Sequence, residues 1–279
     1  MLSDFGLSKE MTPRETYHSS GVMRYHGTSG WIAPEIINAS ENTGSLGLSK
    51  SADIFSLGCV FYYIIYDGKH PFGEGEARQK NILSNKSLID DFRIMSDDGL
   101  LTGDGIPKGL VVMGNVLAGA MIEPQPERRP PIASVLKFPM FWSKKEKLNF
   151  LVDVSDSMDS DATVAEKLRL GQRKVFGYDW RQKLSLRLQE NLTDPTTKHR
   201  SYNARTIKDL LRVIRNKKNH YSDFSEELKQ ELGDVPDGFL DYFESRFPEL
   251  IVYVYKNMQS FRDEQNFRDY YEQNEEYTF

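Results

Sequence analysis

The sequence predicts a mainly α-helical chain built in two parts, and three observations carry that expectation. Ile54 to Tyr66 runs apolar nearly all round, interrupted only by Ser56 and Gly58, as in a helix buried on every side. Within residues 205–219, Ile207, Leu210, Leu211 and Ile214 recur at i, i+3, i+4 and i+7, which is one face of a helix. Leu228 to Leu232, Phe239 to Phe247 and Leu250 to Phe261 continue that period to the C-terminal end.

The remaining elements follow in order. Residues 7–32 are rich in Ser, Thr, Gly and His without any period, and read as a loop. Ser49 to Asp53 opens the apolar helix, and Asp67-Gly68-Lys69-His70-Pro71-Phe72 closes it with Gly and Pro. Val111 to Met121 is a second apolar helix, Glu123 to Pro130 a proline-stiffened loop, and Ile132 to Leu136 a short helix. Pro139-Met140-Phe141-Trp142 marks a junction, which divides the chain into residues 1–142 and 143–279. After Ser143 to Lys147, an apolar helix begins at Leu148, and the polar, acidic Ser155 to Asp161 reads as its end and a loop.

With 279 residues, each part is large enough to bury a core. Hydrophobic residues make up 39% and charged residues 28%, the balance of a soluble globular chain. The 13-residue apolar run is too short to cross a bilayer, and MLSDFGLSKE is no signal peptide. One cysteine, Cys59, excludes an intrachain disulfide and fits a reducing compartment. The net charge of −5 hides a contrast. Lys198 to Lys218 holds eight Lys/Arg against one acid, whereas Ser222 to Phe279 holds fifteen Asp/Glu against five Lys/Arg. A basic block beside an acidic tail suits a polyanion-facing surface; on charge alone, a solvated helix face is the plainer reading.

Two tripeptides place chemistry on the first part. Asp4-Phe5-Gly6 opens the chain, and Ala33-Pro34-Glu35 follows 27 residues after Gly6. Between and beyond them stand G-T-S-G-W-I-A-P-E (27–35), D-I-F-S-L-G (53–58) and G-K-H-P-F (68–72). In this order they resemble the activation segment and C-terminal lobe of a protein kinase. The resemblance implies that Asp4 would hold Mg²⁺ against the phosphates of ATP or ADP in an intact kinase. It implies a buried ion pair between Glu35 and Arg129, and an Asp53 that supports the catalytic loop. Thr16, Ser19 and Ser20 are candidate phosphorylation sites, with Arg24 near enough to receive a phosphate, or else ordinary loop hydroxyls. No Gly-rich loop, strand lysine or H-R-D loop precedes Asp4. The expectation is a truncated lobe from D-F-G onward, with no phosphoryl transfer of its own and poor stability, because the apolar helix lacks partners.

The second part is more specific. Arg215-Asn216-Lys217-Lys218-Asn219-His220-Tyr221, Asp179-Trp180, Val235-Pro236-Asp237-Gly238-Phe239 and Arg246-Phe247-Pro248-Glu249-Leu250 resemble the inositol-requiring kinase/endoribonuclease family, the unfolded-protein sensors of the endoplasmic reticulum. The likeness covers nearly the whole chain. It implies an all-helical KEN-type ribonuclease domain after the partial kinase lobe. It also implies a homodimer or higher oligomer, a stem-loop RNA substrate, and a place on the cytosolic face of the endoplasmic-reticulum membrane without membrane contact by this segment. The oligoadenylate-dependent ribonuclease shares the architecture, and Asp4-Phe5-Gly6-Leu7 with Lys217-Lys218 looks more like the stress sensor.

In that family RNA is cleaved without a metal or other cofactor, by attack of a 2′-OH on the adjacent phosphorus. The step needs a base, an acid and donors to a charged phosphorane. By the resemblance, His220 is the general acid, Tyr202 the general base, and Arg215 and Asn216 bind the scissile phosphate, while Lys217 and Lys218 attract RNA. Imidazole suits proton transfer because its pKa of about 6.5 lies near working pH, and guanidinium presents a planar fork to phosphate. Asn216 and His220 are i and i+4 on the helix, opposite the apolar face of Ile207, Leu211 and Ile214. Spacing alone favours a surface helix whose His220 is solvated or caps the C-terminus; the resemblance reverses that preference. His18, His26, His70 and His199 show no metal-ligand spacing and read as loop or structural residues. Two other readings stay open: a catalytically silent fragment, and a non-catalytic interaction module.

Overall fold

A computed structural model of the chain describes residues 17–18, 28–41, 47–89, 107–193, 201–273 and 277–279. Asp4, Thr16, Ser19, Ser20, Arg24, His26 and His199 lie outside the described residues. In chain order the elements are β1 (Tyr17–His18), α1 (Pro34–Glu41), β2 (Gly47–Leu48), α2 (Lys50–Ile65), α3 (Ala77–Leu83), α4 (Lys108–Met121), α5 (Ile132–Leu136), α6 (Lys144–Ser160), α7 (Ala162–Arg169), α8 (Arg173–Phe176), α9 (Leu186–Thr193), α10 (Ile207–Asn219), α11 (Glu226–Leu232), α12 (Asp237–Arg246) and α13 (Leu250–Met258). The fold is mainly helical, as expected, with β1 and β2 forming a short antiparallel pair in which Tyr17 faces Leu48. None of the described helices is long and apolar enough to cross a membrane.

The chain divides into two units, residues 1–101 with 114–135, and residues 102–113 with 136–278. In the first, α2 is apolar nearly all round but buried on one side. Ile54, Phe55, Gly58, Cys59 and Tyr62 are buried, but Ile64 is 68% exposed and Tyr63 42%. The helix is covered on one stripe, because among the described residues its apolar partners gather on that side. Phe72 stacks on Phe55, with ring centroids 5.7 Å apart. At Gly58 a Cβ would lie 2.7 Å from Met121 Cβ and 2.9 Å from Ile122 Cγ2. The two chain segments meet there closer than any side chain allows.

A buried guanidinium ties this unit together. Arg129 donates from Nη1 and Nη2 to the two carboxylate oxygens of Glu35 at 2.6 and 2.7 Å. Its other three N–H groups reach the carbonyls of Ser51 (2.9 Å), Pro124 (3.1 Å) and Glu123 (2.7 Å). All five donors of the fork are used, the condition under which a buried charge is tolerated. Its Cζ sits 5.0 Å over the Phe55 ring, so α1, α2 and the proline-stiffened loop converge on one side chain.

The second unit is built on α6 and α10. α6 starts at Lys144, four residues before the expected start. Ser143 Oγ accepts the Glu146 N–H at 3.2 Å, and the Glu146 carboxylate accepts the Ser143 N–H at 2.7 Å, a capping box that sets the first turn. The helix also runs through 155–160, which the sequence suggested was end and loop. Val154, Ser155, Ser157 and Met158 are all buried, so packing overrides the polar composition. Trp142, Phe150, Tyr255 and Tyr271 form an aromatic cluster beside it, with Trp142 edge-on to Phe150 at 5.1 Å and Tyr255 stacked on Tyr271 at 4.7 Å.

Gly58→Ala should destabilise the first unit by about 1–3 kcal/mol, the usual penalty for forcing a methyl group into a filled contact. Urea unfolding followed by circular dichroism measures this directly; an unchanged midpoint would contradict the packing described.

Candidate active site

The site grows from α10. Its apolar face, Ile207, Leu210, Leu211, Val213 and Ile214, is buried, which fixes the direction of the other face. Thr206 caps the N-terminus, its Oγ1 accepting the Asp209 N–H at 3.3 Å, and Ile207 N–H reaches Gln172 Oε1 at 2.8 Å. Asp209 is buried, and its carboxylate holds the preceding loop. Oδ2 accepts the Asn203 N–H at 2.6 Å, and Oδ1 pairs with Arg212 Nη1 at 3.0 Å. Arg212 in turn donates to the Ser201 carbonyl at 3.1 Å and lies 4.8 Å over the Tyr202 ring. Trp180 pins the other end of the loop, its N–H on the Ala204 carbonyl and its Nε1–H on that of Thr206, both at 3.1 Å.

This framework brings the side chains of Tyr202, Arg215 and Asn216 together, and His220 follows Asn216 by one turn. The Asn216 Nδ2 donates to Tyr202 Oη at 3.0 Å, and its Oδ1 accepts Arg215 Nε–H at 3.3 Å. Its backbone carbonyl accepts the His220 N–H at 3.0 Å. α10 stops at Asn219, and His220 is its exposed C-cap, with φ −108° and ψ 25°, the position that spacing alone suggested. The imidazole is exposed. Its Nδ1 stands 3.3 Å from Asp223 Oδ2.

Arg215 is held on its far side by α6. Nη1 donates to Asp156 at 2.7 Å and to Asp159 at 2.8 Å. Burial works against charge on Asp159, but Arg215 and Lys208 outweigh it and hold the carboxyl below the usual range.

The two lysines diverge. Lys218 is half-buried and donates to Asn149 Oδ1 at 3.3 Å. Lys217, expected beside it as an RNA contact, is 1% exposed. Its Nζ donates inward to Asn191 Oδ1 at 2.6 Å and lies 5.4 Å over the Phe224 ring. Turning by one residue on a helix moves a side chain by about 100°, enough to carry Lys217 from the open face into the interior. Among the described residues no carboxylate pairs with it, and burial lowers its pKa to about 8.

In the first unit, Glu35 and Arg129 are brought together in the pair described above. Asp53 sits at the exposed first turn of α2, where partial desolvation pushes its carboxyl up. His70 is buried, accepts the Phe72 N–H at 3.2 Å and abuts Trp31; burial, then Arg78, lower it to about 4. It is a neutral structural residue. Among the described residues no group of three His, Cys, Asp or Glu is placed to hold a metal ion, and Asp4 lies outside them.

Sequence reasoning missed Asp209, Arg212, Asp156, Asp159 and Asn191. Only the i, i+3 spacing of Asp209 and Arg212 could have pointed to a local pair. The others meet α10 from elsewhere in the chain.

The comparisons with known proteins match both parts. A protein kinase domain model matches residues 1–141, and a ribonuclease 2-5A model matches residues 147–271. The chain belongs to the kinase/endoribonuclease family. The human serine/threonine-protein kinase/endoribonuclease IRE2 is 37% identical over 97% of this chain and 27% of its own length. The Caenorhabditis elegans kinase/endoribonuclease ire-1 is 36% identical over 97% of this chain and 26% of its own length. The Schizosaccharomyces pombe sensor for unfolded proteins in the ER, ire1, is 33% identical over 98% and 26%. The chain thus spans about a quarter of the length of the curated kinase/endoribonucleases it matches.

Lys217 gives a pH-dependent stability. Its folded pKa lies below the unfolded value, so between about pH 8 and 10.5 the unfolded chain binds more protons and stability rises with pH. Lys217→Met should remove this rise and should be more stable than the parent chain at pH 7, by about 1–3 kcal/mol. Denaturant melts of both chains across that range decide it; a difference that does not change with pH would refute the buried charge.

Proposed function

We propose that residues 143–279 form a metal-independent endoribonuclease domain acting in the unfolded-protein response, through unconventional mRNA splicing and mRNA decay. Residues 1–142 precede it as part of a serine/threonine kinase domain. The observation that carries this reading is Asn216, whose amide links Tyr202 to Arg215 and whose carbonyl holds His220 at the helix end.

The chemistry follows from those positions. Tyr202, in its phenolate form, takes the proton of a ribose 2′-OH on Oη, and the freed 2′-oxygen attacks the adjacent phosphorus. The Asn216 N–H donated to Oη stabilises the negative charge of that phenolate. Arg215 and Asn216 stabilise the charge that builds on the phosphorane oxygens. His220 delivers a proton to the departing 5′-oxygen as the P–O bond breaks. The products are a 2′,3′-cyclic phosphate and a 5′-hydroxyl. Lys218 supplies long-range attraction for the RNA backbone. The reading includes a stem-loop RNA substrate, a back-to-back homodimer or higher oligomer, and a station on the cytosolic face of the endoplasmic-reticulum membrane; the relatives' names support the endoribonuclease and the endoplasmic-reticulum sensor. In an intact parent kinase, Asp4 would hold Mg²⁺ and ATP or ADP; RNA cleavage itself uses no cofactor.

Cleavage of a stem-loop RNA by the purified chain tests the assignment. His220→Ala should lower the rate by roughly 10²–10⁴-fold, the usual worth of a positioned acid. Arg215→Lys should also impair it, because an ammonium lacks the fork. Activity should survive EDTA, rise on dimerisation and leave cyclic phosphate ends. Undiminished cleavage by His220→Ala, or its arrest by EDTA, would place the chemistry elsewhere.

A further inference from the structure

We infer that Asp156 and Asp159 are positioning residues for Arg215, gripping the guanidinium by one terminal nitrogen so that the other faces the scissile phosphate. The inference rests on the ribonuclease reading above. Nη1 donates to Asp156 Oδ1 at 2.7 Å and Asp159 Oδ2 at 2.8 Å, with the Ser155 carbonyl at 3.5 Å. Nε donates to Asn216 Oδ1 at 3.3 Å. A guanidinium has five N–H groups, and three are accounted for. The two on Nη2 have no acceptor among the described residues. They form a preset pair of donors suited to phosphate oxygens.

The grip is built from rigid parts. Asp156 and Asp159 are three residues apart on the last turns of α6, so they share a face. Lys208 Nζ lies 3.3 Å from Asp159 Oδ1 and donates to the Met158 carbonyl at 2.7 Å, restraining that carboxylate. The Arg215 side chain is 15% exposed, whereas Asp156 is 61% exposed. A mostly buried cation is thus steered by carboxylates that water still reaches.

Two cations and two anions leave this cluster without net charge. It therefore adds little attraction for RNA and contributes direction. Removing a carboxylate frees the guanidinium to turn and leaves an uncompensated positive charge beside the substrate path. Ground-state binding of a polyanion should tighten while turnover falls. A salt bridge that served stability alone would not tighten binding, and an inhibitory latch would raise turnover on release.

The test uses Asp156→Asn, Asp159→Asn and the double variant in the full chain. KM and kcat are measured on a stem-loop RNA, and Kd on the same RNA carrying a 2′-deoxy ribose at the cleavage point. KM and Kd should fall about threefold per carboxylate at low salt. The kcat should fall about tenfold or more in the double variant, as expected for a displaced catalytic group. Asp159→Glu should restore part of it. An unchanged or higher kcat overturns the inference. A parent chain without cleavage refutes the ribonuclease reading separately. The grip is then judged by ¹⁵N nuclear magnetic resonance of the Arg215 side chain. Hindered guanidinium rotation in the parent chain, released in the double variant, supports it. Free rotation in the parent chain overturns it.

Discussion

Asp209 lies buried at the first turn of α10, and the loop that carries Tyr202 is assembled around its carboxylate. One oxygen takes a backbone N–H from that loop and the other takes a guanidinium from the next turn of the helix. Removing the carboxylate would leave the Asn203 N–H and Arg212 Nη1 without this partner. Such a loss is worth on the order of 3 kcal/mol, a large share of a domain's net stability. The same residue thus serves folding and geometry. A loop that drifted by an ångström would take the Tyr202 hydroxyl out of reach of Asn216, whatever the rest of the domain did.

Basic residues on α10 illustrate why a count of charges says little about a surface. Arg212 is spent on Asp209 and the Tyr202 ring, Arg215 on two carboxylates of α6, and Lys217 on an interior amide. These three members of the basic block that stood out in the sequence are therefore neutralised or turned inward. What these three leave to a nucleic acid is directed N–H groups, which favour recognition at one phosphate over diffuse attraction.

Much of this was legible in the sequence. The period of Ile207, Leu210, Leu211 and Ile214 gave the orientation of α10, because burial of one face fixes the other. The R-N-x-x-x-H spacing placed Asn216 and His220 one turn apart, although the turn ends in a cap. Less legible was α6. Its last turns are acidic and were read as loop, yet they are helical because Val154, Ser157 and Met158 are packed beneath them. That error hid Asp156 and Asp159, since only a helix presents residues three apart on one face. Lys217 was misplaced for a related reason: adjacent lysines look alike in a string, and a helix sends them to different sides. That α2 would lack partners was legible, but which of its sides stays bare was not, because an apolar sequence states what a helix can bury and not which partners arrive.

Asn216 joins its neighbours through a single amide, with its nitrogen committed to Tyr202 and its oxygen to Arg215. Groups wired in this way do not contribute independently. Once one member is lost, the others have already lost their orientation, so a second loss adds little. In evolutionary terms the trio is an epistatic block. A lineage that changes Asn216 meets little further selection against changes at Tyr202 or Arg215, and the three positions should be kept or surrendered together.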